Sequence, residues 1–171
     1  MSKLLVVVDV QFGAFFGPWA LPAAQELLTG IGNRILEARS QGQPIMFIQN
    51  DGSPDEADAP GEPMWQLVFA PTDEDLVVNK SSLDVFESNP GLAEALQEMG
   101  LQTLEFVGAQ SELCVRSSAL GAIARGFQVE LVPGLHGTYD GGWPGATEGP
   151  SAAELIAQVE AELAKAKADH V

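Results

Sequence analysis

Five short apolar runs, spaced along the chain and separated mostly by stretches of helical periodicity, constrain this sequence more than any other feature. The first, Leu4 to Val8, is unbroken and ends at Asp9, the pattern of a strand buried on both faces. Pro44–Ile48, Leu76–Val78, Thr103–Val107 and Phe127–Val132 repeat it. Between the first two, Pro22 opens a helical stretch in which Leu27, Leu28, Ile31 and Ile35 fall on one face before Gly42 and Pro44. Asn89-Pro90 predicts a helix cap and first position, with Leu92, Leu96 and Met99 as its stripe. Another helix is expected from about Glu112 to Arg125. Ser151-Ala-Ala-Glu154 is a capping box that opens a last helix, with Lys165 and Lys167 at its carbonyl-rich end. Strands alternating with helices predict a three-layer α/β/α fold, a Rossmann-like doubly wound parallel sheet in one domain over residues 1–171.

Two stretches fall outside this rhythm. Residues 51–73 combine prolines and acidic residues with Met64, Trp65, Leu67, Val68 and Phe69, a loop too long to be a simple connection. Residues 133–149 are glycine-rich and predict irregular structure, with Tyr139, Asp140 and Trp143 either as a lid or as a solvated turn.

Charge narrows the function classes. Eight Lys and Arg stand against 24 Asp and Glu, a net charge of −16. A phosphate-tracking surface needs clustered cations, so nucleic acid is an unsuitable partner, and anionic membranes repel the chain for the same reason. The single cysteine, Cys114, excludes an internal disulfide framework and any Cys-rich zinc site. No apolar run approaches the roughly 20 residues of a membrane helix, and Leu4 to Val8 is too short for a signal peptide. A cytoplasmic location is the expectation.

In parallel α/β sheets, ligands sit beyond the carboxyl ends of the strands. Asp9 ends the first strand, Lys80 follows the third, and Cys114 lies just past the fourth, in the first turn of its helix. The topology therefore predicts that all three meet at one edge. A helix N-terminus and a nearby ammonium favour a thiolate, and a carboxylate can take the thiol proton and return it to a leaving group. Free amide groups of the first helical turn suit an oxyanion. Taken singly, each residue has an ordinary explanation: a buried thiol, a turn-capping aspartate, a surface lysine. Ser111 has one too, as a helix cap. The convergence of the three is what points to chemistry.

These segments resemble the isochorismatase-like cysteine hydrolases, a superfamily that includes nicotinamidases and N-carbamoylsarcosine amidase. Val6-Val-Val-Asp-Val-Gln11 is similar to the opening strand with its aspartate, and Val77-Val-Asn-Lys80 with Ser81 to Phe86 to the lysine segment. Gly108-Ala-Gln-Ser-Glu-Leu-Cys-Val115 is similar to the nucleophile segment. The resemblance implies a catalytic triad of Asp9, Lys80 and Cys114. It also implies a cis peptide at Ala109–Gln110 and an oxyanion hole formed by the Gln110 and Cys114 amides. Nicotinamidases carry a histidine-containing metal site between the second and third strands. Here residues 49–80 hold no histidine, and Asn50 stands where many relatives have one, so no metal and no cofactor are expected. The segment after the fifth strand, Pro133 to Gly137, also lacks an aspartate that relatives often carry.

The sequence thus predicts a metal-independent cysteine hydrolase that cleaves the C–N bond of a small amide through a thioester. Gln11, Phe15 and Trp65 are candidates for its substrate pocket. The resemblance further implies a homodimer or larger homo-oligomer. The alternative is a non-catalytic protein that keeps the fold for binding or scaffolding. A flavodoxin-like nucleotide binder is disfavoured, since no phosphate loop follows any strand.

Overall fold

The computed structural model describes residues 2–170. Strands β1 (Ser2–Val8), β2 (Ile45–Asn50), β3 (Leu76–Lys80), β4 (Leu101–Ala109) and β5 (Gln128–Gly137) form one parallel sheet in the order β3-β2-β1-β4-β5. Helices α1 (Phe12–Phe15), α2 (Ala24–Ser40), α3 (Val85–Ser88), α4 (Leu92–Glu98), α5 (Arg116–Ala124) and α6 (Ala152–Asp169) cover it. The sheet is doubly wound, as its alternating sequence pattern requires.

Strand periodicity sorts the core. Leu4, Val6 and Val8 point to the face packed by α3, α4, α5 and α6 through Phe86, Leu96, Ala119 and Leu163. Leu5 and Val7 point to the other, covered by α1 and α2 through Phe15, Leu28, Ile31 and Ile35. All five β1 residues from Leu4 to Val8 are fully buried, which is why the run reads as unbroken.

The strand order reverses between β1 and β4, so the crevice at their carboxyl ends is the topological switch point. Gly108 is what lets β4 run so close to β1 there. Its φ is 122°, and a Cβ at that position would lie 2.1 Å from the Val8 carbonyl oxygen.

Three local expectations are corrected. Asn89-Pro90 does not open a helix. Asn89 caps the end of α3, its side-chain amide donating to the Val85 and Asn79 carbonyls, and α4 starts after Gly91 at φ 95°. The glycine-rich stretch is not irregular from Pro133. β5 continues to Gly137, but Phe106 pairs with Leu131 and Gly108 with His136, so residues 132–135 stand out of the ladder on an edge strand, where proline is tolerated. The helix expected from Glu112 is a π-helical turn, Ser111–Val115, followed by α5. The capping box is as expected: Glu154 N–H donates to Ser151 Oγ, and Glu154 Oε2 accepts from Ser151 N–H.

Candidate active site

Asp9 follows β1 with φ 48°, a left-handed conformation that side chains other than glycine adopt rarely and that concentrates at functional sites. Lys80 is the last residue of β3, and Cys114 sits in the π-helical turn after β4. The three side chains meet. Lys80 Nζ is 3.0 Å from Asp9 Oδ2 and 3.2 Å from Cys114 Sγ. Its third contact is Asn50 Oδ1, at 3.0 Å. An ammonium has three donors, and here each has an acceptor, which is how a lysine side chain with 0% exposure is accommodated.

The sequence argument does not single out Asn50, which enters it only as a position lacking histidine. The signal was available, since Asn50 ends β2 and the same strand-end rule that collects Asp9 and Lys80 applies to it.

Electrostatics revise the expected state of the thiol. Burial and the neighbouring Asp9 charge push Cys114 up to about 12, and the Lys80 ammonium only partly opposes them. The sulfur is therefore a protonated thiol at neutral pH, not the thiolate expected from its place near a helix start. Burial also raises the Asp9 carboxyl above its usual range, against the pull of Lys80. Burial opposes the charge on Lys80, but Asp9 and Cys114 outweigh it and hold the ammonium above its ordinary value. Asp9 Oδ1 is buried and has no hydrogen-bond partner among the described residues.

A cavity of about 580 Å³ opens onto these groups, a size that suits a small molecule. Asp9, Gln11, Asn50, Ala109, Gln110 and Cys114 line it, as do Trp19, Met64, Leu83 and Trp143. The peptide bond between Ala109 and Gln110 is cis, and Gln110 and Cys114 both border the cavity. Of the pocket candidates, Gln11 lines the cavity but also works as a clamp. Its side-chain amide donates to the Asn50 and Trp65 carbonyls and accepts the Asn50 N–H, fastening the long loop to β2. Phe15 and Trp65 are corrected. Phe15, 3% exposed, packs into the core under α2, and Trp65 turns its indole N–H to Asp51 Oδ1. The aromatic residues that do reach the cavity are Trp19 and Trp143, 55% and 67% exposed. Tyr139 belongs to the core, its hydroxyl donating to the Trp19 carbonyl, and Asp140 accepts the Ala152 N–H near the start of α6. Ser111 caps no helix. Fully buried, it bonds His136 Nδ1 at 2.9 Å.

The donor set between β2 and β3 does not fit a histidine-rich metal site. Asn50 contacts Lys80, and Asp51 Oδ1 already accepts from Trp65 and Asn79. Among the described residues, no three His, Cys, Asp or Glu side chains gather as metal ligands.

Comparison with known proteins agrees with this architecture. Residues 3–159 match the isochorismatase domain model. A streptothricin hydrolase of Streptomyces noursei is 38% identical over 141 residues, 81% of this chain and 55% of that protein. A second streptothricin hydrolase of the same organism is 36% identical, over 81% of this chain and 50% of its own length, so the chain spans about half of these curated relatives. A crystal structure of an isochorismatase from Pseudomonas putida superimposes with a TM-score of 0.84 at 26% identity, over 95% of this chain and 83% of the other. N-carbamoylsarcosine amidase from Thermoplasma acidophilum shares the fold, with a TM-score of 0.73 at 23% identity over 80% of this chain and 84% of its own. A match over residues 3–159, on a sheet wound in this order, makes the chain a member of the isochorismatase family.

Proposed function

We propose that the protein hydrolyses the C–N bond of a small amide through a covalent thioester on Cys114, with Asp9 and Lys80 completing the triad. The observation that carries this reading is the single ammonium, Lys80 Nζ, in contact at 3.0 and 3.2 Å with the carboxylate and the sulfur of two residues that line the cavity. The hydrolase and amidase names of the relatives support the reaction class.

In this reading the resting thiol is protonated, and its proton passes to Asp9 Oδ1 as the sulfur attacks the substrate carbonyl. The Lys80 ammonium remains charged throughout, stabilising first the carboxylate and then the developing negative charge on sulfur. The Gln110 and Cys114 amides receive the oxyanion, a contribution that is commonly the largest in acyl transfer. The protonated Asp9 then gives its proton to the departing nitrogen, and the C–N bond breaks. Water, deprotonated by Asp9, attacks the thioester and releases the acid and the thiol. No metal takes part in any step.

Cys114→Ala tests the scheme. Amide hydrolysis, read as ammonia or amine release, is expected to fall by about three orders of magnitude or more, as for loss of other covalent nucleophiles. Mass spectrometry of the intact wild-type protein during turnover is expected to show the acyl adduct, absent in the variant. Full turnover by Cys114→Ala overturns the proposal.

A further inference from the structure

The charged residues around the cavity are mostly acidic. Glu56, Ala57 and Asp58, from the long acidic loop, border the same space as Cys114. Lys80, the one cation touching this site among the described residues, is saturated by Asp9, Asn50 and Cys114, so it has no donor left for a substrate carboxylate. No Lys or Arg appears among the residues that line the cavity. Nor does any described cation form an ion pair with Glu56 or Asp58. Burial is the main reason the Asp9 carboxyl is raised, and the charge of Asp58 adds to it. Asp9, 9% exposed, lines the same cavity, and its Oδ1 has no hydrogen-bond partner among the described residues. Trp19 and Trp143 supply exposed indoles on the wall, and aromatic faces attract cations and not anions.

Resting on the hydrolase reading above, we propose that the cavity selects amides carrying a positive charge, an ammonium or guanidinium group, away from the scissile bond. Glu56 and Asp58 with the two indoles form the cation subsite, while the reacting carbonyl lies over Cys114. The net charge of −16 acts in the same direction, since its field concentrates cations at an acidic cleft. Neutral amides fit without this attraction, and a substrate with a carboxylate meets only repulsion.

Three amides of one length test the subsite: hexanamide, its ω-amino analogue and its ω-carboxylate analogue. Binding is measured by calorimetry or ligand-observed NMR on Cys114→Ala, which needs no turnover, and hydrolysis on the wild type. The ω-amino amide is expected to bind about tenfold more tightly than hexanamide, and more tightly again than the ω-carboxylate, with the difference shrinking as salt rises. In Glu56→Gln/Asp58→Asn, which keeps oxygen acceptors for Ser53 and Asn50, the ratio of ω-amino to neutral affinity is expected to fall about tenfold. Equal binding of the three amides, preference for the carboxylate, or a ratio unmoved by the double variant overturns the subsite. Cation-selective binding without turnover of any amide leaves the subsite standing and counts against the hydrolase reading. Turnover without charge preference does the reverse.

Discussion

Asp9 and Lys80 are ion-paired at 3.0 Å, and the lysine side chain is fully excluded from solvent. A pair in that setting is neither a surface salt bridge nor an independent source of stability. The desolvation of each charge is offset mainly by the other.

Removing one partner is therefore more damaging than removing both. Lys80→Met is expected to lower stability by about 3–5 kcal/mol, because it strands the Asp9 carboxylate, whereas Asp9→Asn combined with Lys80→Met costs markedly less than Lys80→Met alone. Urea denaturation of the single and double variants measures the difference. A double variant less stable than Lys80→Met contradicts the pairing.

Alkylation of Cys114 by iodoacetamide reads its protonation state. With the thiol pKa pushed up to about 12, labelling of the free protein at neutral pH is expected to be slower than that of an ordinary cysteine, rising about tenfold per pH unit into the alkaline range. Slow labelling is compatible with the proposed mechanism, in which Asp9 takes the proton only as the sulfur attacks. For the same reason kcat/KM should climb with pH through the raised Asp9 pKa, placing the acid limb above the usual aspartate value of 3.8. An acid limb at or below that value removes Asp9 as the base.

Asn50→Ala deletes one of the three acceptors around Lys80 Nζ. Leaving a buried ammonium donor unpaired costs about 1–3 kcal/mol. Released from one side, the ammonium is expected to shift, so kcat falls more than KM changes. Equal catalytic constants in Asn50→Ala and wild type would show that Asp9 and Cys114 alone position the lysine.

Glu105 on β4 is a carboxylate whose ionisation links stability to acid pH. Burial pushes its carboxyl up, but Arg34, whose Nε and Nη2 each donate at 2.8 Å, together with Gln43 and Lys3, brings it below its ordinary value of 4.5. A depressed folded pKa means stability that is complete above about 4.5 and is lost as pH falls through the folded value. Glu105→Gln is expected to flatten this acid-side decline, measured as the pH dependence of the urea midpoint. A slope as steep as in the wild type assigns the decline to other carboxylates.

The sequence was informative wherever burial was two-sided. Leu4 to Val8 announces β1 because both of its faces are covered, and the strand-end rule then gathers Asp9, Lys80 and Cys114 from sites far apart in the chain. It was less informative where one turn of backbone decides a direction. Phe15 and Trp19 lie four residues apart beyond Asp9, yet the first faces the core and the second the cavity. Asn89-Pro90 carried the composition of a helix start, but Asp84 had already begun a one-turn helix that Asn89 closes. The protonated thiol was illegible for a different reason. The helix-start argument accounts for neighbouring dipoles and charges but not for desolvation, which here is the larger effect.

The dispersal of the proposed triad has a practical corollary. Asp9, Lys80 and Cys114 ride on segments that become neighbours only after β1, β2, β3 and β4 have all docked in register. Turnover, once a substrate is in hand, would serve as an assay of completed assembly: a fragment ending before the π-helical turn, or a refolding intermediate with a strand misplaced, has no assembled centre to report.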